Sequence, residues 1–148
     1  MVCSCKYSKC VGVAILIHQK WTKFIVKVEQ VSDRVMYVDI AMEHIVVRVV
    51  ATYFPHAGYS VDDYNLCFDT VRKSVIDGQR INRKCFVGGD FNTVLDVGWR
   101  GNRLREFVHE TNLEVSNDPS NQNIIKDWTE LLIIVWFRLN ISLSPSRV

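Results

Sequence analysis

Apolar and polar positions along the chain change period several times, and each change predicts an element. Val11 to Ile17 is apolar nearly throughout, which predicts a strand buried on both faces. His18-Gln19-Lys20 follows as a polar connection, with His18 in a structural or surface role. Phe24 to Val28 reads as a second strand and Ser32-Asp33 as a turn. Val35 to Ile40 alternates as a third strand, joined through Ala41 to His44 to the β-branched run Ile45 to Tyr53, which has the composition of a central strand. Pro55 ends that run, because proline cannot donate to a strand ladder.

The period then lengthens to that of a helix. Tyr64, Phe68, Val71 and Val75 recur at helical spacing behind a capping box of Ser60 and Asp63, which predicts an amphipathic helix from Val61 to Asp77 closing at Gly78. Asp62, Asp63 and Asp69 fall at its N-terminal or solvated positions. Lys84 to Val87 returns to a strand, and a loop from Asn92 to Gly101 leads to a short helix from Asn102 marked by Leu104, Phe107 and Val108. Leu113 to Val115 reads as an edge strand, Asn117 to Asn123 as a polar loop and Ile124 to Trp128 as one more strand. Strands, a helix, a strand, a helix and further strands indicate α/β (α+β) layers with mixed pairing.

Composition narrows this picture without naming a function. The 148 residues make one domain, and 48% hydrophobic content supplies a core. A net charge of +2 does not by itself identify a nucleic-acid binder. No apolar stretch approaches the roughly 18 residues of a membrane span; the longest, Leu131 to Phe137, has the length of a core segment. The five cysteines are odd in number, and Cys3, Cys5 and Cys10 have no apolar signal segment before them, which predicts reduced thiols in an intracellular protein, cytoplasmic or nuclear. Zinc at those three would need a fourth ligand that the spacing does not supply. Residues 1 to 28 hold five lysines and no Asp or Glu, so no carboxylate ligand comes from them.

Phosphate-cradling, zinc-protease and nucleophile-elbow motifs are absent. A Cys85 and His109 pair rests on residue identity alone, and Cys85 suits a small core position. Two strand ends carry more. Gly88-Gly89-Asp90-Phe91-Asn92-Thr93 leaves an apolar strand, and Asp90 and Asn92 project together if the backbone stays extended. The two glycines leave room for a sharp bend or the close approach of a phosphate, although turns favour the same residue types. Tyr53-Phe54-Pro55-His56-Ala57-Gly58 ends the other central strand, and neighbouring strand ends share a rim where sites are built.

These two segments resemble the endonuclease/exonuclease/phosphatase superfamily, in particular the endonuclease domain of non-LTR (LINE-type) retrotransposons and related craniofacial development protein 2-like sequences. The match at Gly89 to Asn92 and at Tyr53 to Gly58 is joined by Gly12 to Ile17, by Gly101 to Phe107 and by Trp128-Thr129, in family order over about residues 11–129. Residues 1–10 match poorly, and 130–148 form a divergent tail. The resemblance implies a four-layer sandwich of two mixed β-sheets flanked by helices, and Mg2+- or Mn2+-dependent hydrolysis of phosphodiesters in DNA, with no small-molecule cofactor. It implies that Asp90 orients or deprotonates the attacking water. Asn92 would hold the phosphate and that water in line, and Tyr53 would hydrogen-bond a phosphate oxygen. His56 would be a further phosphate contact, standing where apurinic-site nucleases of the superfamily have an asparagine.

Family members also carry an asparagine and a metal-binding glutamate before the Gly-Val strand, and a closing Ser-Asp-His. Residues 1 to 28 contain neither asparagine nor acid, and no Asp, Glu or His follows Glu130. The expectation is an incomplete sandwich, truncated at both ends, without a protein metal ligand and with little or no turnover. Two other readings stand beside it. Asp96 or Asp127 with His109 would supply substitute groups, or Lys20, Lys23, Arg100, Arg103 and Arg105 would make a non-catalytic patch for nucleic acid or protein. An incomplete sandwich also predicts self-association through an exposed edge.

Overall fold

The computed structural model describes residues 12–115 in full, and the backbone of residues 2–4 and 135–136. Its elements are β1 (Val2–Ser4), β2 (Ala14–Leu16), a 3-10 turn (Gln19–Phe24), β3 (Ile25–Gln30), β4 (Val35–Met42), β5 (Ile45–Tyr53), α1 (Val61–Arg80), β6 (Arg83–Asp90), α2 (Gly98–Glu110), β7 (Glu114–Val115) and β8 (Val135–Trp136). The strands form a two-stranded sheet, β1-β2, and a six-stranded sheet in the order β3-β4-β5-β6-β8-β7. β3, β4 and β5 make an antiparallel meander. α1 then crosses back so that β6 runs parallel to β5, with Tyr53 opposite Asp90 in the register. β8 lies antiparallel to both β6 and β7, which makes the sheet mixed.

The alternation in β4 and β5 separates two apolar faces. One face sends Val35, Tyr37 and Val50, with Cys85 and Val87 from β6, against Tyr64, Phe68, Val71 and Val75 of α1 and Leu104 and Phe107 of α2. The other places Met36 and Val38 against Ile17, with Val13 and Ile15 packed alongside. Helices therefore cover one face and the β2 segment the other, an incomplete α+β sandwich.

The central strand β5 and the capping box lie where the sequence puts them. In the latter, Ser60 Oγ accepts from the Asp63 N–H at 3.1 Å and Asp63 Oδ2 accepts from the Ser60 N–H at 3.3 Å. Four expectations are corrected. The β2 strand is three residues long and Leu16 is 79% exposed, because only one face of this small sheet meets the core. α1 does not close at Gly78 but continues to Arg80, and Gly78 is a buried packing position. β6 extends through both glycines to Asp90, so the motif begins inside the strand rather than after it. α2 begins at Gly98, four residues before Asn102.

The strand expected at Ile124 to Trp128 and the loop before it lie outside the described residues, as do Cys5, Cys10, Asp127 and Trp128-Thr129. Of the apolar tail segment, Val135–Trp136 forms β8 between β6 and β7.

A charge sits inside the helix-facing core. Asp39 and Arg48, paired across β4 and β5, are 1% and 3% exposed. Arg48 donates through Nε and Nη2 to the Asp39 carboxylate at 2.8 and 2.9 Å, and through Nη1 to the Ser74 carbonyl at 2.9 Å. Its guanidinium lies 3.8 Å from the centre of the Tyr37 ring. Burial opposes the charge on Arg48, but the fork to Asp39 outweighs it and holds the arginine pKa above its ordinary value.

Candidate active site

Parallel pairing of β5 and β6 brings both sequence motifs to one rim. The Phe54 N–H donates to the Asp90 carbonyl at 2.7 Å, so the ladder runs to the end of both strands. Gly89 makes this closeness feasible. It has φ +146°, and a Cβ there would lie 1.8 Å from the Thr52 carbonyl oxygen. The room that glycine leaves is thus filled by the neighbouring strand.

Beyond Asp90 the backbone does not stay extended. Asn92 has φ +47°, a left-handed conformation that asparagine tolerates better than most residues. Its N–H donates to Asp90 Oδ1 at 2.8 Å, and its Nδ2 donates to the Phe54 carbonyl at 2.7 Å. Asp90 and Asn92 do come together, through a tight turn clipped to the end of β5. Phe91 between them is fully buried and stacks on Phe54 with centroids 4.9 Å apart, which anchors the turn in the core.

Tyr53 is half-buried at the same strand end. Its N–H donates to the Arg34 carbonyl at 3.0 Å, and its carbonyl accepts from Arg34 Nη1 at 3.2 Å. Arg34 was not a sequence candidate. It places its guanidinium 5.6 Å from the Tyr53 ring centre and 4.7 Å from that of Tyr59. Its only sequence signal is its place immediately before β4, whose start lies beside the end of β5. On the other flank, Arg100 donates to the Pro55 carbonyl at 3.2 Å and lies 4.4 Å from the Tyr64 ring centre. Two cations therefore bracket the exit of β5, a favourable field for an anion.

His56 is exposed and bonds within its own turn. Its Nδ1 accepts from the Gly58 N–H at 3.0 Å, and its ring meets Tyr59 edge-on at 4.7 Å. With Nδ1 an acceptor, the neutral imidazole carries its proton on Nε2, which suits a hydrogen bond to an anion. Chemically, the rim offers one carboxylate with Oδ1 engaged, a carboxamide oxygen from Asn92, a phenol and a flanking imidazole.

A divalent ion fits poorly. Magnesium needs near-octahedral oxygen ligation, and among the described residues the rim provides a single, half-engaged carboxylate. Among the described residues, no three His, Cys, Asp or Glu side chains come together to hold a metal.

Of the substitute groups, Asp96 is engaged elsewhere, and Asp127 lies outside the described residues. Asp96 accepts a fork from Arg105, with Arg105 Nε at 2.9 Å from Oδ1. Arg103 pairs with Asp69 at 3.0 Å, so two of the three arginines in the proposed basic patch meet acids. Cys85 is buried, and burial pushes its thiol pKa up to about 11, which makes it a neutral core residue. No helix among the described residues is long and apolar enough to cross a membrane.

No family model matches the sequence, and no curated protein does. Among solved structures, the fold is similar to the endonuclease domain of TRAS1, a telomere-specific non-LTR retrotransposon, with a TM-score of 0.58 and 14% identity over 91% of this chain and 65% of that one. Slighter overlaps reach a β-hairpin deletion mutant of beta toxin from Staphylococcus aureus, at TM-score 0.42 and 17% identity over 70% of this chain and 44% of that one. Sphingomyelinase C from Streptomyces griseocarneus overlaps at TM-score 0.43 and 16% identity over 70% and 42%. The chain spans 65% of the TRAS1 domain and shares its fold.

Proposed function

We propose that this chain is a partial, retrotransposon-derived endonuclease domain that binds DNA phosphate at the β5–β6 rim and hydrolyses phosphodiesters poorly or not at all. The observation that carries the reading is the clipped turn: Asp90 and Asn92 bonded to each other and to the end of β5, opposite Tyr53, on a nuclease-like fold. In this reading Tyr53 and Nε2–H of His56 donate to phosphate oxygens, and Arg34 and Arg100 favour the negative charge. The Asn92 carboxamide oxygen accepts from a water in line with the phosphorus, and Asp90 Oδ2 orients that water or takes its proton.

A bound Mg2+ or Mn2+ would stabilise charge on the phosphate in a complete family member. These 148 residues hold no acid before Glu29 to keep such an ion beside Asp90, so the positioning groups act without it. Their survival does not restore turnover, because cooperating catalytic groups act as a unit. An intracellular setting, cytoplasmic or nuclear, and self-association through an open sheet edge belong to the same proposal. The alternative, a non-catalytic interaction fragment using Lys20, Lys23, Arg100, Arg103 and Arg105, is weakened only at α2, where Arg103 and Arg105 pair with acids.

Nicking of supercoiled plasmid in Mg2+ or Mn2+ tests the reading. Wild type and Asp90→Ala should show the same background, while both shift the plasmid on a native gel. Cleavage by the wild type that Asp90→Ala abolishes would contradict impairment, and failure to bind DNA would contradict the rim as a phosphate site.

A further inference from the structure

No side chain of the 3-10 turn Gln19–Phe24 is fully buried, and the turn carries two large aromatic rings. Trp21 is 36% exposed and Phe24 39%, with ring centroids 5.9 Å apart and planes tilted by 54°. Lys20 Nζ lies 5.4 Å from the Trp21 ring centre, and Lys23 Nζ lies 4.9 Å from that of Phe24. The turn is closed by its own bonds, since the Lys20 N–H donates to His18 Nδ1 at 3.2 Å and Thr22 Oγ1 donates to the Gln19 carbonyl at 2.8 Å. The rings therefore sit on a formed turn, each more than a third exposed. No Asp or Glu precedes Glu29 in the sequence, so the turn has no acid of its own to offset its lysines.

Sheet register places this turn far from the rim. β3 starts with Ile25 opposite Ile40, and β4 ends with Met42 opposite Ile45 at the start of β5. Ile25 is level, through Ile40, with Val47 of β5, and Tyr53 and Asp90 lie six residues further along that strand, about 20 Å away at the usual strand rise. A cleft of about 720 Å3 lined by His44, Arg83 and Lys84, among others, opens at the same end as the turn. The basic and aromatic groups here cannot contact a phosphodiester held at Asp90.

The geometry points to the turn as a second, independent docking platform for single-stranded nucleic acid. Exposed bases stack on Trp21 and Phe24, and Lys20 and Lys23 meet the flanking phosphates. Two separate rings, each accompanied by an ammonium group, suit successive bases on a charged backbone. A membrane anchor would instead need a continuous apolar face with its cations at the margin. This site does not depend on the rim being active or on the rim binding DNA.

Fluorescence anisotropy of labelled oligo(dT) with the whole chain tests the platform. Trp21→Ala/Phe24→Ala should weaken binding tenfold or more. Lys20→Gln/Lys23→Gln should also weaken it and flatten the dependence of log K on log salt by about 1.4, at roughly 0.7 per lost phosphate contact. Lys73→Gln, on the exposed side of α1 and part of neither site, should bind as wild type does. The lysine variant should keep the wild-type melting temperature, and a melting scan of the aromatic variant, whose rings are only partly exposed, separates loss of the platform from loss of the fold. Unchanged binding in the aromatic variant would overturn the platform, as would an equal loss in Lys73→Gln. Loss confined to phosphatidylserine vesicles would overturn it in favour of a membrane surface.

Discussion

Asn92 does two jobs that compete in most residues: it adopts a left-handed backbone and supplies a carboxamide. Asn92→Ala removes the Nδ2 bond to the Phe54 carbonyl and strains the backbone at φ +47°. Together these should lower the unfolding free energy by about 2–3 kcal/mol. Asn92→Gly relieves the strain but not the lost bond, so urea titration should find it less destabilised than the alanine variant. Equal losses would show that backbone strain plays no part. The sequence made this pair of residues visible but implied the wrong backbone, because spacing alone cannot show that Asp90 folds the chain back through an Asx-type bond. Gly89 was similarly visible as a place of close approach. That its neighbour is Thr52 follows only from the parallel register, which no local pattern encodes.

Among the elements, α1 illustrates how periodicity succeeds and where it stops. Its start was legible because a Ser–Asp capping box has a local signature. Its end was not, because Gly78 reads as a helix terminator unless its packing partner is known. A Cβ at Gly78 would sit 2.9 Å from Cys85 Sγ and 3.0 Å from Arg48 Cδ, both buried. Gly78→Ala should therefore destabilise by about 1–3 kcal/mol, despite the gain of up to about 1 kcal/mol that alanine brings to an exposed helix position. Chemical denaturation checks this, and a more stable variant would show that Cys85 and Arg48 give way to the added methyl group. The strand β5 was read with its correct limits, yet Arg48 within it gave no hint of burial. Its partner Asp39 sits on the preceding strand, and only antiparallel register makes the two one buried pair.

Across the whole molecule, buried thiols make stability sensitive to alkali. Burial pushes Cys67 and Cys85 up to about 11, above an ordinary value near 9.0. The stability they contribute is complete below pH 9 and is lost as pH rises toward 11, because the unfolded chain gives up these protons first. The loss should reach about 3 kcal/mol per thiol, and Cys85→Ala should flatten the decline in urea midpoint between pH 8.5 and 10.5. An unchanged slope would place Cys85 in contact with water.

At this scale the layered fold was legible from the sequence of periods, and so was the shared rim. The electrostatic balance was not. Arg103 and Arg105 looked like a basic surface until the fold brought Asp69 and Asp96 to them, while the unnoticed Arg34 lies beside Tyr53. The same limit governs the metal, since one carboxylate at a rim identifies a motif but not a coordination shell. A Mn2+ titration followed by electron paramagnetic resonance tests this most directly. The account predicts no saturable uptake that distinguishes wild type from Asp90→Asn. One tightly held Mn2+ per chain, lost in Asp90→Asn, would contradict it.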